Sequence, residues 1–163
     1  MKVLVGPNPH GLEEVLDDLG RQYADITFAH CAENAGLISA IEDATVYMGW
    51  ITREQFLAAD KIEWIQSPSS GVDKFLAVPE LKSGNVLLTS AVGTHAHVLA
   101  DHAMGMILSF TRGLKKLASK QKTKEWYPQI RAKSRELRGL TVGVVGFGSS
   151  GQQVAHRAAA FGM

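Results

Sequence analysis

One cysteine, Cys31, stands among the 163 residues, so no internal disulfide can form and a reducing compartment is expected. No segment approaches the roughly 18 apolar residues of a membrane span. The apolar run Val3-Leu4-Val5 that follows Met1-Lys2 stops at Gly6-Pro7, too short for the hydrophobic region of a secretory signal. The expected location is therefore cytoplasmic, with no membrane partner. Internal repeats and low-complexity tracts are also missing. What remains, 45% hydrophobic and 20% charged residues, is the ordinary composition of a soluble globular chain, and the length is sufficient to bury a core.

Net charge is low as well, at +1, but it is unevenly spread. Residues 1–111 carry 6 Lys/Arg against 14 Asp/Glu, whereas residues 112–138 carry 10 against 2. A basic stretch of that kind raises nucleic acid as a partner. Its only aromatics are Trp126 and Tyr127, and no nucleic-acid-binding motif accompanies it, so a solvated helix face and linker is the expected reading.

The first ninety residues alternate between two periodicities. Strand-like segments are expected at Met1 to Val5, Ala24 to Ala29, Thr45 to Met48, Glu63 to Gln66 and Val86 to Thr89. Between them, Leu12, Val15, Leu16 and Leu19 mark a helix face closed by Gly20, Leu37, Ile38 and Ile41 mark a weaker one, and Thr52-Arg53-Glu54-Gln55 has capping-box spacing. Strands separated by helix-length segments require right-handed crossovers and a parallel sheet covered on both faces. The expected fold class is α/β, with a flavodoxin-like parallel sheet. A long apolar helix follows, with Thr94 as the expected N-cap and Gly113 as the end. Leu114 to Trp126 is a second, lysine-rich helical segment, and Tyr127 to Gly139 connects onward.

Residues 140–151, Leu-Thr-Val-Gly-Val-Val-Gly-Phe-Gly-Ser-Ser-Gly, read as a buried strand entering a G-x-G-x-x-G turn. In such a turn the first glycine, Gly146, allows the sharp bend, and Gly148 lets the backbone approach a pyrophosphate. Gly151 lets the following helix pack close, and the N-terminus of that helix presents unpaired N–H groups and the positive end of a dipole to the phosphates. Val154, Ala158 and Phe161 supply one face of the helix. The acidic residue that grips the adenosine ribose belongs at the end of a further strand about 20 residues on. Twelve residues follow Gly151, so the expectation is a dinucleotide site that is begun and not completed.

Two further clusters are candidates. Ser67-Pro68-Ser69-Ser70-Gly71-Val72-Asp73 follows the fourth expected strand, at the carboxyl end of the sheet where open α/β proteins bind ligands. Taken alone, its Pro, Ser and Gly favour a turn for conformational reasons. Its position adds an anion-binding alternative, because small residues leave backbone N–H groups accessible. His95, His97 and His102 cluster at the start of the long helix, but His-x-His spacing on a helix does not converge on a metal, so no metal site is expected.

The order of segments resembles the D-isomer-specific 2-hydroxyacid dehydrogenases. The likeness rests on Glu63-Trp64-Ile65-Gln66-Ser67, Ser69-Ser70-Gly71-Val72-Asp73, Val86-Leu87-Leu88-Thr89-Ser90, Gly93-Thr94-His95-Ala96, Leu99-Ala100-Asp101-His102, Leu137 to Gly148, and Ala159-Ala160-Phe161-Gly162-Met163. It covers the whole chain but only the amino-terminal half of a family member. The resemblance implies residues 1–93 as a substrate domain, 94–139 as interdomain and dimerisation helices with a linker, and 140–163 as the first β-α unit of a Rossmann cofactor domain. It implies hydride exchange between NAD or NADP and a small 2-hydroxy or 2-oxo acid, and a homodimer built through the 94–113 helix.

By the same resemblance, Ser70, Gly71 and Val72 would lie near the substrate carboxylate and nicotinamide, and Gly146, Gly148, Ser149, Ser150 and Gly151 would form the pyrophosphate loop. Ser149-Ser150 stands where the family commonly has Arg-Ile, and Asp101 where it commonly has Glu. The catalytic arginine, the acid/base histidine and the carboxylate that tunes it match no residue here. The chain is therefore expected to be a fragment of such an oxidoreductase, without activity alone. The alternatives are a non-catalytic module that dimerises or binds small carboxylates, and an independent dinucleotide-binding protein with an abbreviated site.

Overall fold

Five short segments with inward-facing apolar residues pair side by side into one parallel sheet: β1 (Lys2–Val5), β2 (Thr27–His30), β3 (Val46–Met48), β4 (Trp64–Ser67) and β5 (Leu87–Ser90). The strand order is β2-β1-β3-β4-β5 with every pairing parallel, the flavodoxin-like order. The structure is a computed structural model that describes residues 1–7 and 11–163. It divides into two units, Met1–Val92 and Gly93–Met163.

In the first unit the register aligns Ala29, Leu4, Tyr47, Ile65 and Leu88 in one row across the sheet. Leu4, Tyr47 and Ile65 are buried there with Leu37, Ile41 and Phe75, and this is the main core. Parallel pairing puts the alternate row, Val3, Val46, Trp64 and Leu87, on the other face. Burial fades along that row: Val46 is covered, whereas Trp64 is 39% and Leu87 59% exposed. The expected coverage of both faces thus holds in full for only one of them.

The crossovers are α1 (Leu16–Gln22, entered through a 3-10 turn at Leu12–Val15), α2 (Asn34–Ile41), α3 (Arg53–Leu57) and α4 (Asp73–Leu76) with a 3-10 turn at Pro79–Ser83. The Thr52 capping box forms as its spacing predicts: the Thr52 hydroxyl accepts from the Gln55 N–H, and Gln55 Oε1 accepts from the Thr52 N–H. Gly20 does not end its helix. The chain stays helical to Gln22, and the Tyr23 N–H closes the last turn on the Leu19 carbonyl at 2.8 Å.

The second unit contains α5 (Ala96–Thr111), α6 (Leu114–Lys122), α7 (Ile130–Lys133) and α8 (Ser149–Ala160). Met104, Leu137 and Ala158 form its small core, flanked by Ile107, Leu108, Val142 and Met163. Three expectations are corrected here. The N-cap of α5 is His95, which makes no capping hydrogen bond; Thr94 Oγ1 lies 2.9 Å from His95 Nδ1. The lysine-rich helix stops at Lys122 rather than Trp126, because Lys124 takes a left-handed φ of 53°. Residues 141–145 form no strand: residues 93–163 contain no other strand to pair with, and Val145 is fully exposed. Gly113, with a φ of 66°, separates α5 from α6 as expected.

Candidate functional site

In a 2-1-3-4-5 sheet the switch point lies between β1 and β3, and ligands are expected just beyond it. Here the protein fills that place itself. Gly6 follows β1 and Gly49 follows β3, and the buried Tyr47 ring occupies the space that side chains at these glycines would take: a Cβ would lie 2.3 Å and 2.5 Å, respectively, from the Tyr47 hydroxyl. The hydroxyl donates to the Trp50 carbonyl at 2.8 Å.

Burial, with a smaller contribution from Cys31, pushes the Tyr47 phenol above its ordinary range. In the unfolded chain it would ionise near pH 10. Stability tied to the protonated phenol is therefore complete below that pH and falls as pH rises toward the folded value. In an alkaline absorbance titration, Tyr47 is expected to ionise only as the first unit unfolds; its ionisation in the folded chain near pH 10 would contradict this packing.

The first unit leaves its small-residue loop after β4. Ser67, fully buried, accepts the Ser69 N–H at 3.2 Å and donates to the Ser69 carbonyl at 3.1 Å. Ser69 Oγ accepts the Gly71 N–H at 3.1 Å, Ser70 Oγ donates to the Ala91 carbonyl at 3.1 Å, and the Ala91 N–H donates to the Ser69 carbonyl at 3.0 Å. These bonds tie the loop to the residue after β5. Of the three sequence candidates, Gly71 thus has its N–H engaged, while the N–H groups of Ser70 and Val72 meet no acceptor among the described residues.

A cavity of about 140 Å³ adjoins the loop, lined by Trp50, Ser69, Gly71, Asp73 and Lys74. Lys74 Nζ lies 4.9 Å from the Trp50 ring centroid, and that ring stacks on Phe75 at 5.2 Å. Trp50 and Lys74 were not sequence candidates. The signal that could have found Trp50 is its position two residues past the end of β3, at the ligand-binding edge of the sheet.

In the second unit the glycine turn has distinct work for each glycine. Gly146 takes a φ of +87°, which L side chains rarely adopt. Around Gly148, the N-cap of α8, a Cβ would meet nothing within 4 Å, so the backbone is open to approach. At Gly151 a Cβ would lie 2.1 Å from the Gly146 carbonyl oxygen, so the helix can lie this close only without a side chain. Ser149 and Ser150 form the first turn of α8, which holds no acidic residue, and the positive end of the helix dipole faces outward from them. Farther along α8, Arg157 Nε donates to Asp101 Oδ1 on α5 at 2.5 Å, and Arg157 also donates to the Gln153 carbonyl and side-chain oxygen. A carboxylate at position 101 thus ties α8 to α5, a role its spacing alone does not disclose.

A parallel α/β unit followed by the opening turn of a dinucleotide-binding unit is the class this architecture defines. Comparison with known proteins specifies it further. Residues 104–163 match the family described as D-isomer specific 2-hydroxyacid dehydrogenase, NAD binding domain. The D-3-phosphoglycerate dehydrogenase of Methanocaldococcus jannaschii is 30% identical over 168 residues, covering 100% of this chain and 31% of that protein. The hydroxypyruvate reductase of Thermotoga maritima is 32% identical over 113 residues, covering 69% of this chain and 36% of that protein. Among solved structures, a D-isomer specific 2-hydroxyacid dehydrogenase family protein from Aeromonas salmonicida superposes with a TM-score of 0.78 at 23% identity, covering 99% of this chain and 51% of that one. The chain belongs to the D-isomer-specific 2-hydroxyacid dehydrogenases, a family of NAD-dependent oxidoreductases. It spans about a third of the length of the two curated relatives named here and about half that of the solved structure. No helix of the described residues is long and apolar enough to cross a membrane.

Proposed function

We propose that these 163 residues carry two of the binding elements of a D-2-hydroxyacid dehydrogenase: the loop for the acid's carboxylate and the turn for the cofactor's pyrophosphate. The observation that carries this reading is the glycine turn, with Gly146 at φ +87° and Gly151 packed where no Cβ fits, inside the segment that matches an NAD-binding domain. Ser70 and Val72 would donate their backbone N–H groups to a 2-hydroxy or 2-oxo acid. Gly148, Ser149 and Ser150 would receive the pyrophosphate of NAD or NADP. The cytoplasm is the compartment that fits such an enzyme and the lone cysteine.

Hydride transfer to a carbonyl leaves a developing alkoxide that must be stabilised and protonated. The cavity beside the loop is lined by neither arginine nor histidine, and its one cation, Lys74, is held over Trp50. The 163-residue chain is therefore proposed to bind without turnover. With hydroxypyruvate or glyoxylate and either NADH or NADPH, no steady loss of absorbance at 340 nm is expected; sustained oxidation of the cofactor would overturn the proposal.

The same chain is proposed to form a homodimer through residues 94–113. On α5, Val98, Leu99, Met106 and Phe110 are exposed, Phe110 to 89%, and a helix with that much uncovered apolar surface is stabilised by a partner. Light scattering is expected to give the mass of a dimer, and Phe110→Glu that of a monomer. A wild-type monomer would remove this part of the reading.

A further inference from the structure

Helices α5 and α8 meet at two levels, and the two meetings fix their relative direction. At one, a Cβ on Gly93, just ahead of α5, would lie 3.9 Å from the Ser149 Cβ at the start of α8. At the other, Arg157 Nε donates to Asp101 Oδ1 at 2.5 Å. The partners are 56 positions apart in sequence in both cases, so the helices run parallel and in step, with their N-terminal ends together. Parallel neighbours place like ends of their dipoles side by side. Neither first turn contains an acidic residue to offset the two positive ends. The pairing is held farther along, by the small core around Met104 and Ala158 and by the Asp101–Arg157 ion pair.

That ion pair has the geometry of an orienting contact. Arg157 Nη1 donates at 3.2 Å to the Gln153 carbonyl and at 2.9 Å to Gln153 Oε1, so the guanidinium is fixed to its own helix while Nε reaches α5. A planar fork bound on two sides sets a direction, which the point charge of a lysine ammonium does not. About 12 Å of helix separates Arg157 from Ser149, so the pair acts on the glycine turn through α8 and not by contact with a ligand there. Releasing it frees α8 to pivot at its Gly93–Ser149 end, and the N–H groups of Gly148, Ser149 and Ser150 turn with the helix. We infer that Asp101 and Arg157 are positioning residues for the pyrophosphate turn, holding those N–H groups in the orientation that binds. This inference rests on the proposed cofactor role of the turn and adds what aims it.

Charge and position make opposite predictions for Asp101. A carboxylate near an anion-binding turn repels the anion, so by charge alone its removal would tighten NAD binding. By position, its removal weakens binding. NAD is titrated into the ¹⁵N-labelled 163-residue chain and its variants, with the dissociation constant taken from the shifts of the Gly148, Ser149 and Ser150 amides in the folded molecules. Asp101→Ala is expected to weaken NAD about tenfold. Asp101→Asn keeps an oxygen to accept from Arg157 Nε and is expected to stay within about twofold of the wild type. Arg157→Lys keeps the charge, loses the fork, and is expected to weaken NAD as Asp101→Ala does. Should Asp101→Ala fail to fold, Asp101→Asn and Arg157→Lys carry the same contrast. A merely structural role would lower the unfolding temperature of the variants and leave the dissociation constant of the folded chain unchanged, which overturns the inference. Tighter binding by Asp101→Ala, or equal weakening by Asp101→Ala and Asp101→Asn, overturns it in favour of charge. Each of these results leaves the glycine turn's cofactor role standing, because the wild type still responds to NAD. If the wild-type amides do not move, that role fails and the positioning role with it.

Discussion

Alanine at position 151 is expected to abolish the response of the glycine turn to NAD and to lower the unfolding temperature of the 163-residue chain by about 10 °C. Helix propensity argues the other way: Gly151 lies within the first turn of α8, where alanine would stabilise an isolated helix by about 1 kcal/mol. Packing decides the sign. The new methyl would lie 2.1 Å from the Gly146 carbonyl oxygen and 3.2 Å from a methyl of Val144, and the nearer atom belongs to the backbone, so no rotamer change relieves the contact. The turn and helix must separate, at a cost of about 2–3 kcal/mol, and the Gly148 and Ser149 N–H groups then lose their common direction. Thermal unfolding followed by circular dichroism measures the first effect and amide shifts on adding NAD the second. A variant as stable as the wild type would mean that α8 does not lie against Gly146.

The second large effect is expected at the other end of the chain. Gly6→Ala places a Cβ 2.3 Å from the Tyr47 hydroxyl and 2.9 Å from the ring carbon that bears it. Tyr47 has no exposed surface and sits in the centre of the main core, so it has nowhere to move. Overpacking of this kind is expected to destabilise the first unit by about 3 kcal/mol. Tyr47→Phe alone leaves the Trp50 carbonyl without its donor, worth about 1 kcal/mol. The same substitution removes the atom nearest the new methyl, so the double variant is expected to be more stable than the sum of the single effects by about 1 kcal/mol. Strict additivity in chemical denaturation would show that the hydroxyl is not what Gly6 makes room for.

Local patterns in the sequence reach most of the fold because most of it is locally determined. All five strands of the first unit lie within a few residues of the apolar runs that predict them, and the Thr52 capping box forms from its spacing alone. What escapes is whatever depends on residues distant in sequence. Leu140 to Val145 has the composition of a strand, but a strand needs a partner and residues 93–163 supply none. Gly20 has the character of a helix end, yet the Tyr23 bond to Leu19 carries the helix past it.

The site divides in the same way. The glycine turn is legible because glycine is required there by geometry, at Gly146 by its φ and at Gly151 by its neighbours. The β4 loop is legible as a position, but the use of the Gly71 N–H by Ser69 Oγ, with the N–H groups of Ser70 and Val72 meeting no acceptor among the described residues, is a property of its folded hydrogen bonds. Tyr47 reads from sequence as one more strand residue. Its part in filling the β1–β3 switch point follows from two glycines 43 positions apart, Gly6 and Gly49, meeting on one ring.

The central claim is that the Gly146–Gly151 turn is a pyrophosphate-binding element. Titration of the ¹⁵N-labelled chain with NAD tests it most directly. The account predicts shifts concentrated at the amides of Gly148, Ser149, Ser150 and Gly151, reproduced by ADP-ribose and lost in Gly151→Ala. Saturating NAD that leaves those four amides unmoved, or moves them equally in Gly151→Ala, would contradict it.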